Sequence, residues 1–267
     1  MSHVQTDDVM RDLRILAAHA MGIEPSRITL HMQDEISEDV RAQFNLYVDA
    51  RTVNTPISKI IQKRQFWGRE FGVDLNVLDP RGDTETLVAA CLEIGVPSRV
   101  LDLGTGSGAI GLTLAAEWPR AEVCCTDISE EALEVARINM NHLGVAGTVT
   151  LLQSDWFAQV KGRYDLIVSN PPYITKADWY ELDVEVRGFD PRIALTDEGD
   201  GLAAYRIITK NAGAFLHSEG HLVVEIGASQ KDAVVALFEE AEFTQIQCLP
   251  DMDGRDRVVK AVWIDKT

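Results

Sequence analysis

The chain has 267 residues, 46% hydrophobic and 25% charged, with a formal net charge of −17. That length fits one large domain, or a medium domain with a small companion, and no apolar run approaches the ~18 residues of a bilayer span. The acidity speaks against a protein that grips nucleic acid by its phosphates, apart from a local basic set at Lys59, Lys63, Arg64 and Arg69. A small molecule or a basic protein is the expected partner, although solubility alone also accounts for such a charge. The N-terminus, Met1 to Asp8, is polar and acidic, unlike a signal or transit peptide, so a cytoplasmic location with no membrane attachment is expected. Cys91, Cys124, Cys125 and Cys248 form no Cys-x-x-Cys pair and read as reduced, structural thiols. His217 and His221 are four apart, but Ser218-Glu219-Gly220 between them reads as a turn, so no metal site is expected.

Residues 1–65 read as a small helical domain. Val9, Met10, Leu13, Leu16, Ala17 and Ala20 share one helical face, and Gly22 and Pro25 end that segment. Ser37 is a good N-cap for a second helix with Glu38 and Asp39 in its first turn. Val40, Phe44, Tyr47 and Val48 form its expected buried stripe. Pro56 opens a third piece carrying Ile57, Ile60 and Ile61. Residues 66–80 mix aromatic residues with glycines and read as a hairpin connector. A helix over 84–92 leads into a second domain, 81–267. There, strands at 99–103, 122–127, 149–153, 164–169, 220–226, 243–249 and 257–264 alternate with helices at 109–118, 129–143, 203–216 and 230–241. Such alternation predicts an α/β fold with a mostly parallel seven-stranded sheet. Ligands of these sheets lie beyond the carboxyl ends of the strands.

Four polar features fall on that edge. Gly104-Thr105-Gly106-Ser107-Gly108 follows an apolar strand and precedes a helix, a turn shared by dinucleotide enzymes and S-adenosylmethionine methyltransferases. Asp127 ends the second strand, where an acid accepts from both ribose hydroxyls of an adenosine. Asp155 follows the third, where an acid accepts from the adenine amino group and Trp156 or Phe157 lies against the base. Asn170-Pro171-Pro172-Tyr173 follows the fourth. Its prolines remove two donors and fix two φ angles, leaving an amide, carbonyl acceptors and an aromatic ring. Such a rim holds a planar NH2 group with its nitrogen aimed at an electrophile. A hydride-transfer enzyme has no need of it, and a methyltransferase acting on an NH2 nitrogen has. The plain alternative is an Asn-Pro turn that ends a strand.

The segments 102–110 and 165–173 together resemble those of the HemK/PrmC methyltransferases. Val77 to Glu85 resembles the family's Pro-Arg-Pro-Glu-Thr-Glu segment, with Gly82 in place of the second proline, which loosens that loop. Phe189 to Leu195, Glu225-Ile226-Gly227 and Asp253 to Val258 resemble further landmarks, so the likeness covers about residues 66–264. It implies a Rossmann-like class I fold with S-adenosylmethionine as methyl donor, S-adenosylhomocysteine as product and no metal. It also implies transfer to the Gly-Gly-Gln glutamine of peptide chain release factors, with the helical N-terminal domain recognising that partner. The cofactor contacts it implies are Gly104, Thr105, Gly106, Ser107, Gly108, Asp127 and Trp156, beside Asp155 and Asn170 from the reading above. The catalytic loop it implies is Asn170, Pro171, Pro172 and Tyr173. Rival readings of the same loop are an adenine-N6 nucleic-acid methyltransferase, a glutamine methyltransferase of a ribosomal protein, and a non-catalytic S-adenosylmethionine-binding protein.

Overall fold

Runs such as Val100-Leu101 and Leu166-Ile167-Val168 lack polar alternation, and they form strands buried on both faces. The structure, a computed structural model, describes residues 6–265; residues 1–5 of the polar N-terminal stretch and residues 266–267 lie outside the described residues. Two compact units are present: Met1–Lys63 with Asp183–Phe189, and Arg64–Leu182 with Asp190–Thr267. In chain order the helices are α1 (Thr6–Ala20), α2 (Glu38–Thr52), α3 (Ile57–Ile61), α4 (Glu85–Leu92), α5 (Ala109–Glu117), α6 (Glu130–His142), α7 (Lys176–Trp179), α8 (Val184–Phe189), α9 (Arg192–Leu195), α10 (Ala203–Phe215) and α11 (Lys231–Glu240). The strands are β1 (Lys63–Phe66), β2 (Arg69–Gly72), β3 (Arg99–Leu103), β4 (Glu122–Asp127), β5 (Val149–Gln153), β6 (Tyr164–Ser169), β7 (Leu216–Glu225), β8 (Thr244–Pro250) and β9 (Asp256–Val262).

The first unit holds α1, α2, α3 and α8. Ser37 caps α2 as its sequence predicts, accepting from the Val40 amide at 3.3 Å. The buried faces differ from the expected ones. Val9 and Met10 are exposed, α1 buries Asp12, Leu16 and Ala18, and the Val40, Phe44, Tyr47 and Val48 stripe of α2 is half-buried. The physical reason is an ion pair. Arg51 donates to Asp12 Oδ2 at 2.9 Å and to Glu185 Oε1 at 2.6 Å, so an acid rather than an apolar residue is drawn inward from α1. Four helices, two of them of only five and six residues, also enclose too little volume to bury every apolar face.

The second unit is the expected α/β sandwich. Its seven-stranded sheet has the order β5-β4-β3-β6-β7-β9-β8. Strands β3 to β7 run parallel, and β9 is antiparallel to both β7 and β8. One apolar layer joins α4 and α5 to the sheet through Leu87, Val88, Leu112 and Leu114; the other joins α10 and α11 through Tyr205, Ile208, Val234 and Phe238. Strand order reverses at β3, whose neighbours are β4 and β6, and a crevice opens there.

The hairpin lies at 63–72, earlier than the 66–80 stretch suggested, because Trp67 (φ 51°) and Gly68 (φ 67°) both take the left-handed backbone of a two-residue turn. Ser218-Glu219-Gly220 is a second correction. These residues are inside β7 and not a turn: the register shifts between Tyr164 and Leu166, Glu219 takes φ 67°, and its amide still donates to the Trp263 carbonyl at 2.7 Å.

Asn139 of α6 joins the hairpin to the glycine turn. Its Oδ1 accepts from the Gly72 amide at 2.7 Å, and its Nδ2 donates to the Gly72 carbonyl at 2.9 Å and the Ser107 carbonyl at 2.8 Å. The residue is 1% exposed, so Asn139→Ala deprives the Ser107 carbonyl and the half-buried Gly72 amide and carbonyl of their partner. A loss of about 2–4 kcal/mol is expected in urea unfolding; a loss under about 1 kcal/mol would show that the clamp is dispensable.

Candidate active site

Five parallel strands deliver their last residues to one edge. Gly104 follows β3, Asp127 ends β4, Ser154 follows β5, Asn170 follows β6 and Glu225 ends β7. Leu103 pairs with Ser169, and the Ser169 hydroxyl donates to the Leu103 carbonyl at 2.7 Å. The glycine turn and the Asn-Pro-Pro-Tyr loop therefore leave adjacent strands at the same level.

The turn is held from below and from the side. Asp102, 1% exposed, accepts from Thr105 Oγ1 at 2.6 Å and from the Gly111 amide at 3.0 Å through the same oxygen. The Thr105 amide donates to the Thr126 carbonyl at 2.8 Å. Gly104, Gly106 and Gly108 all have positive φ (71°, 55° and 84°). At Gly108 a side chain would also run into Leu112, whereas Gly104 and Gly106 face open space. Asp127 Oδ2 accepts from the Gly106 amide at 2.9 Å and its Oδ1 from the Ser129 amide at 3.0 Å. Burial raises the Asp127 carboxyl above its ordinary value, and the amides of Ser129, Gly106 and Ile128 oppose that rise.

These residues surround a cavity of about 220 Å³. Gly104 to Ser107, Asp127, Asp155, Trp156, Asn170 and Pro172 line it, together with Val77, Arg81, Thr84, Ile128 and Ile193. Of the residues singled out in the sequence, Gly108, Phe157, Pro171 and Tyr173 do not line it, and Phe157 instead stacks on Phe215 in the core. Gly108 is the N-cap of α5, and Pro171 is buried. Tyr173 turns its hydroxyl to Glu225 Oε1 at 3.4 Å, and its carbonyl accepts from Gln230 Nε2 at 3.0 Å. Trp156 has φ 49°, an uncommon backbone for a bulky residue, and it sits on the cavity wall.

The family model of the methyltransferase small domain matches residues 81–185, and that of the PrmC N-terminal domain matches residues 3–61. A release factor glutamine methyltransferase of Cereibacter sphaeroides is 48% identical over 255 residues, covering 96% of this chain and 91% of that protein. This chain belongs to the release factor glutamine methyltransferase family. A second relative with the same name, from Rhodospirillum rubrum, is 39% identical and covers 94% of this chain and 78% of its own length. The crystal structure of a methyltransferase from Pyrococcus furiosus aligns with a TM-score of 0.58 at 18% identity, covering 82% of this chain and 98% of that one, a likeness of fold.

The methyl donor of a release factor glutamine methyltransferase, S-adenosylmethionine, fits the residues present. The open backbone at Gly104 and Gly106 suits close approach of a ligand. Asp127 and Asp155 supply acceptors, and Ile128 and Trp156 supply apolar walls. No group of His, Cys, Asp and Glu suited to a metal ion is present among the described residues. No described helix is long and apolar enough to cross a membrane.

Several site residues carried no assigned role in the sequence reading. Thr84 accepts from Asn170 Nδ2 at 3.2 Å. Glu225 and Arg257 stood out only as matching landmarks, yet both are buried beneath the loop. Arg81 donates to the buried Asp190 Oδ2 at 2.7 Å, beside the wall residues Pro191 and Ile193. The usable signal for Glu225 was its place: an acid that ends a parallel strand faces the same edge as Asp127.

Burial pushes the Asp102 carboxyl up to about 6, against the pull of Thr105 and Gly111. In the unfolded chain it titrates near ~3.9. Between these values the folded chain keeps a proton that the unfolded chain has lost. Its contribution to stability is thus full below ~3.9 and is lost as pH rises through about 6. Asp102→Asn keeps an acceptor without the charge. Its stability relative to the parent is expected to improve by about 2–3 kcal/mol between pH 4 and pH 7.5 in urea unfolding; an equal difference at both pH values would contradict this.

Proposed function

We propose that this chain transfers the methyl group of S-adenosylmethionine to the side-chain nitrogen (N5) of the glutamine in the Gly-Gly-Gln motif of peptide chain release factors, leaving S-adenosylhomocysteine. The observation that carries this reading is the Asn170 amide. Its Nδ2 is committed to Thr84, so its acceptor end, Oδ1, is left for a substrate NH2 beside the glycine turn. S-adenosylmethionine supplies a methyl already activated on a sulfonium.

The chain's own work is orientation. An amide nitrogen is a weak nucleophile because its lone pair is conjugated. Asn170 Oδ1 accepts from one of its N–H bonds and turns its lone pair to the sulfonium methyl, whereas the Pro171 carbonyl, expected to accept the other, belongs to a buried residue off the cavity wall. Positioning and fixed dipoles provide the acceleration, and the displaced proton goes to water. Gly104 to Ser107, Asp127, Asp155 and Trp156 hold the donor, with Asp127 at the ribose and Asp155 and Trp156 at the base.

Transfer of labelled methyl to purified release factor, with unmethylated DNA and ribosomal proteins offered alongside, tests the reaction. Label should map to the Gly-Gly-Gln glutamine, and Asn170→Ala should lower kcat by about 100-fold or more. Label on DNA would assign the loop to adenine instead, a reading that the net charge of −17 disfavours.

We assign partner recognition to the helical unit. It exposes Leu30 (76%) and Leu46 (62%), large apolar side chains of the kind that interfaces bury. Replacing both with Asp should raise KM for the release factor several-fold at unchanged kcat. An unaltered KM would place recognition elsewhere.

A further inference from the structure

The Asn-Pro-Pro-Tyr loop is gripped from outside the cavity by a side chain that the reaction as described does not use. Gln230 occupies the N-cap position of α11, but its side chain makes no capping bond. Its Nε2 donates to the Tyr173 carbonyl at 3.0 Å and to the Gly201 carbonyl at 3.2 Å, and its Oε1 accepts from the Gly227 amide at 3.0 Å. Three stretches of backbone therefore meet on one amide: the end of the loop, the turn before α10 and the turn after β7. Gln230 itself does not line the cavity.

The orientation of this amide is fixed by partners that cannot exchange roles. A backbone carbonyl only accepts, and a backbone N–H only donates. The two carbonyls require the NH2, and the Gly227 amide requires the oxygen. The fit is close as well. Gly201 has φ 75°, and a Cβ there would collide with the Tyr173 carbonyl oxygen, so the two backbones approach as closely as only glycine allows. Carbonyl oxygens carry partial negative charge, and this pair stays together because one NH2 serves both.

The loop is stiff enough to transmit the grip. Asn170 is joined to Tyr173 through Pro171 and Pro172, whose rings fix two φ angles and restrict the residue before each. At the near end Ser169 of β6 bonds to Leu103 at 2.7 Å. At the far end Gln230 holds Tyr173, next to Pro172 on the cavity wall. The bond from the Tyr173 hydroxyl to Glu225, at 3.4 Å, is the longer of the two ties on this residue. A segment with so few soft torsions moves nearly as one piece, so its far anchor helps to set where Asn170 stands against the glycine turn.

We propose that Gln230 is a positioning residue of the methyl-transfer reaction: by holding the Tyr173 carbonyl beside the Gly201 turn, it sets the place of Asn170 relative to the methyl donor. The inference rests on the reading of Asn170 given above. Gln230 acts only through the loop, so its loss is felt in turnover and not in cofactor binding.

The test is a double-mutant cycle on kcat for methyl transfer to release factor, with S-adenosylmethionine affinity measured separately. Gln230→Glu keeps an acceptor for the Gly227 amide but sets its second oxygen against the two carbonyls. It should lower kcat by about 10-fold or more and leave the cofactor Kd within about twofold. In an Asn170→Ala chain the same replacement should change kcat by less than about twofold, because the placement it disturbs no longer matters. A purely structural role predicts the same loss in both backgrounds. Gln230→Met, uncharged and of similar length, should repeat this pattern, and it carries the test if the Glu variant does not fold. A kcat within about twofold of the parent, an equal loss in both backgrounds, or a cofactor Kd that rises in step with the loss of kcat overturns the inference. No transfer by the unaltered chain refutes the assigned reaction and takes the inference with it, whereas normal transfer by the unaltered chain and by both variants refutes the inference alone.

Discussion

Everything in the catalytic unit depends on the register of one strand pair. Strand β3 lies beside β6 with Leu103 opposite Ser169, and a hydrogen bond from the Ser169 hydroxyl to the Leu103 carbonyl holds the two ends level. The next residue of each strand lines the cavity: Gly104 opens the glycine turn and Asn170 opens the Asn-Pro-Pro-Tyr loop. A slip by one residue would exchange the two faces of a strand that is buried on both sides. Two apolar layers, one through Leu112 and Leu114 and the other through Tyr205 and Ile208, make that slip costly. Core packing and catalytic distance are thus fixed by the same contact.

The site is supported by polar groups that water does not reach. Asp102 holds the glycine turn, Asn139 ties it to the hairpin, and Glu225 accepts from Tyr173 of the loop. Each is nearly fully buried, and each would destabilise the fold if it lost its partners. What they contribute is direction. An apolar core keeps a loop at the right height but does not decide which end of an amide faces the substrate. Acceptors fixed from below do.

Much of this was legible in the sequence because it is local. Unbroken apolar runs marked β3, β4 and β6, Ser37 and Ser129 announced their helices, and Asp127 and Asn170 stood where strands stop. The remainder depends on pairings between distant segments. Asn170 meets Thr84 across 86 positions, and Tyr173 meets Glu225 across 52. No periodicity reports such a pair. The inward face of α1 was misjudged for a related reason. Asp12 is polar, and nothing near it in sequence shows that Arg51 waits 39 positions on to neutralise it. The bulge in β7 was hidden as well, because Ser218-Glu219-Gly220 has the composition of a turn and only the partner strand reveals that pairing continues.

The antiparallel course of β9 has a consequence for biosynthesis. Because it runs against its neighbours, its first residues, Asp256 and Arg257, arrive at the edge where the parallel strands end. Arg257 there engages Asp83, Asp251 and the Ile226 carbonyl. The cation that steadies the acids beneath this loop therefore leaves the ribosome after the glycine turn and the loop itself. A nascent chain displays every residue that touches the cavity before it holds the charge that settles the ground under them. A product cut short before Asp256 keeps the pocket's lining without its foundation.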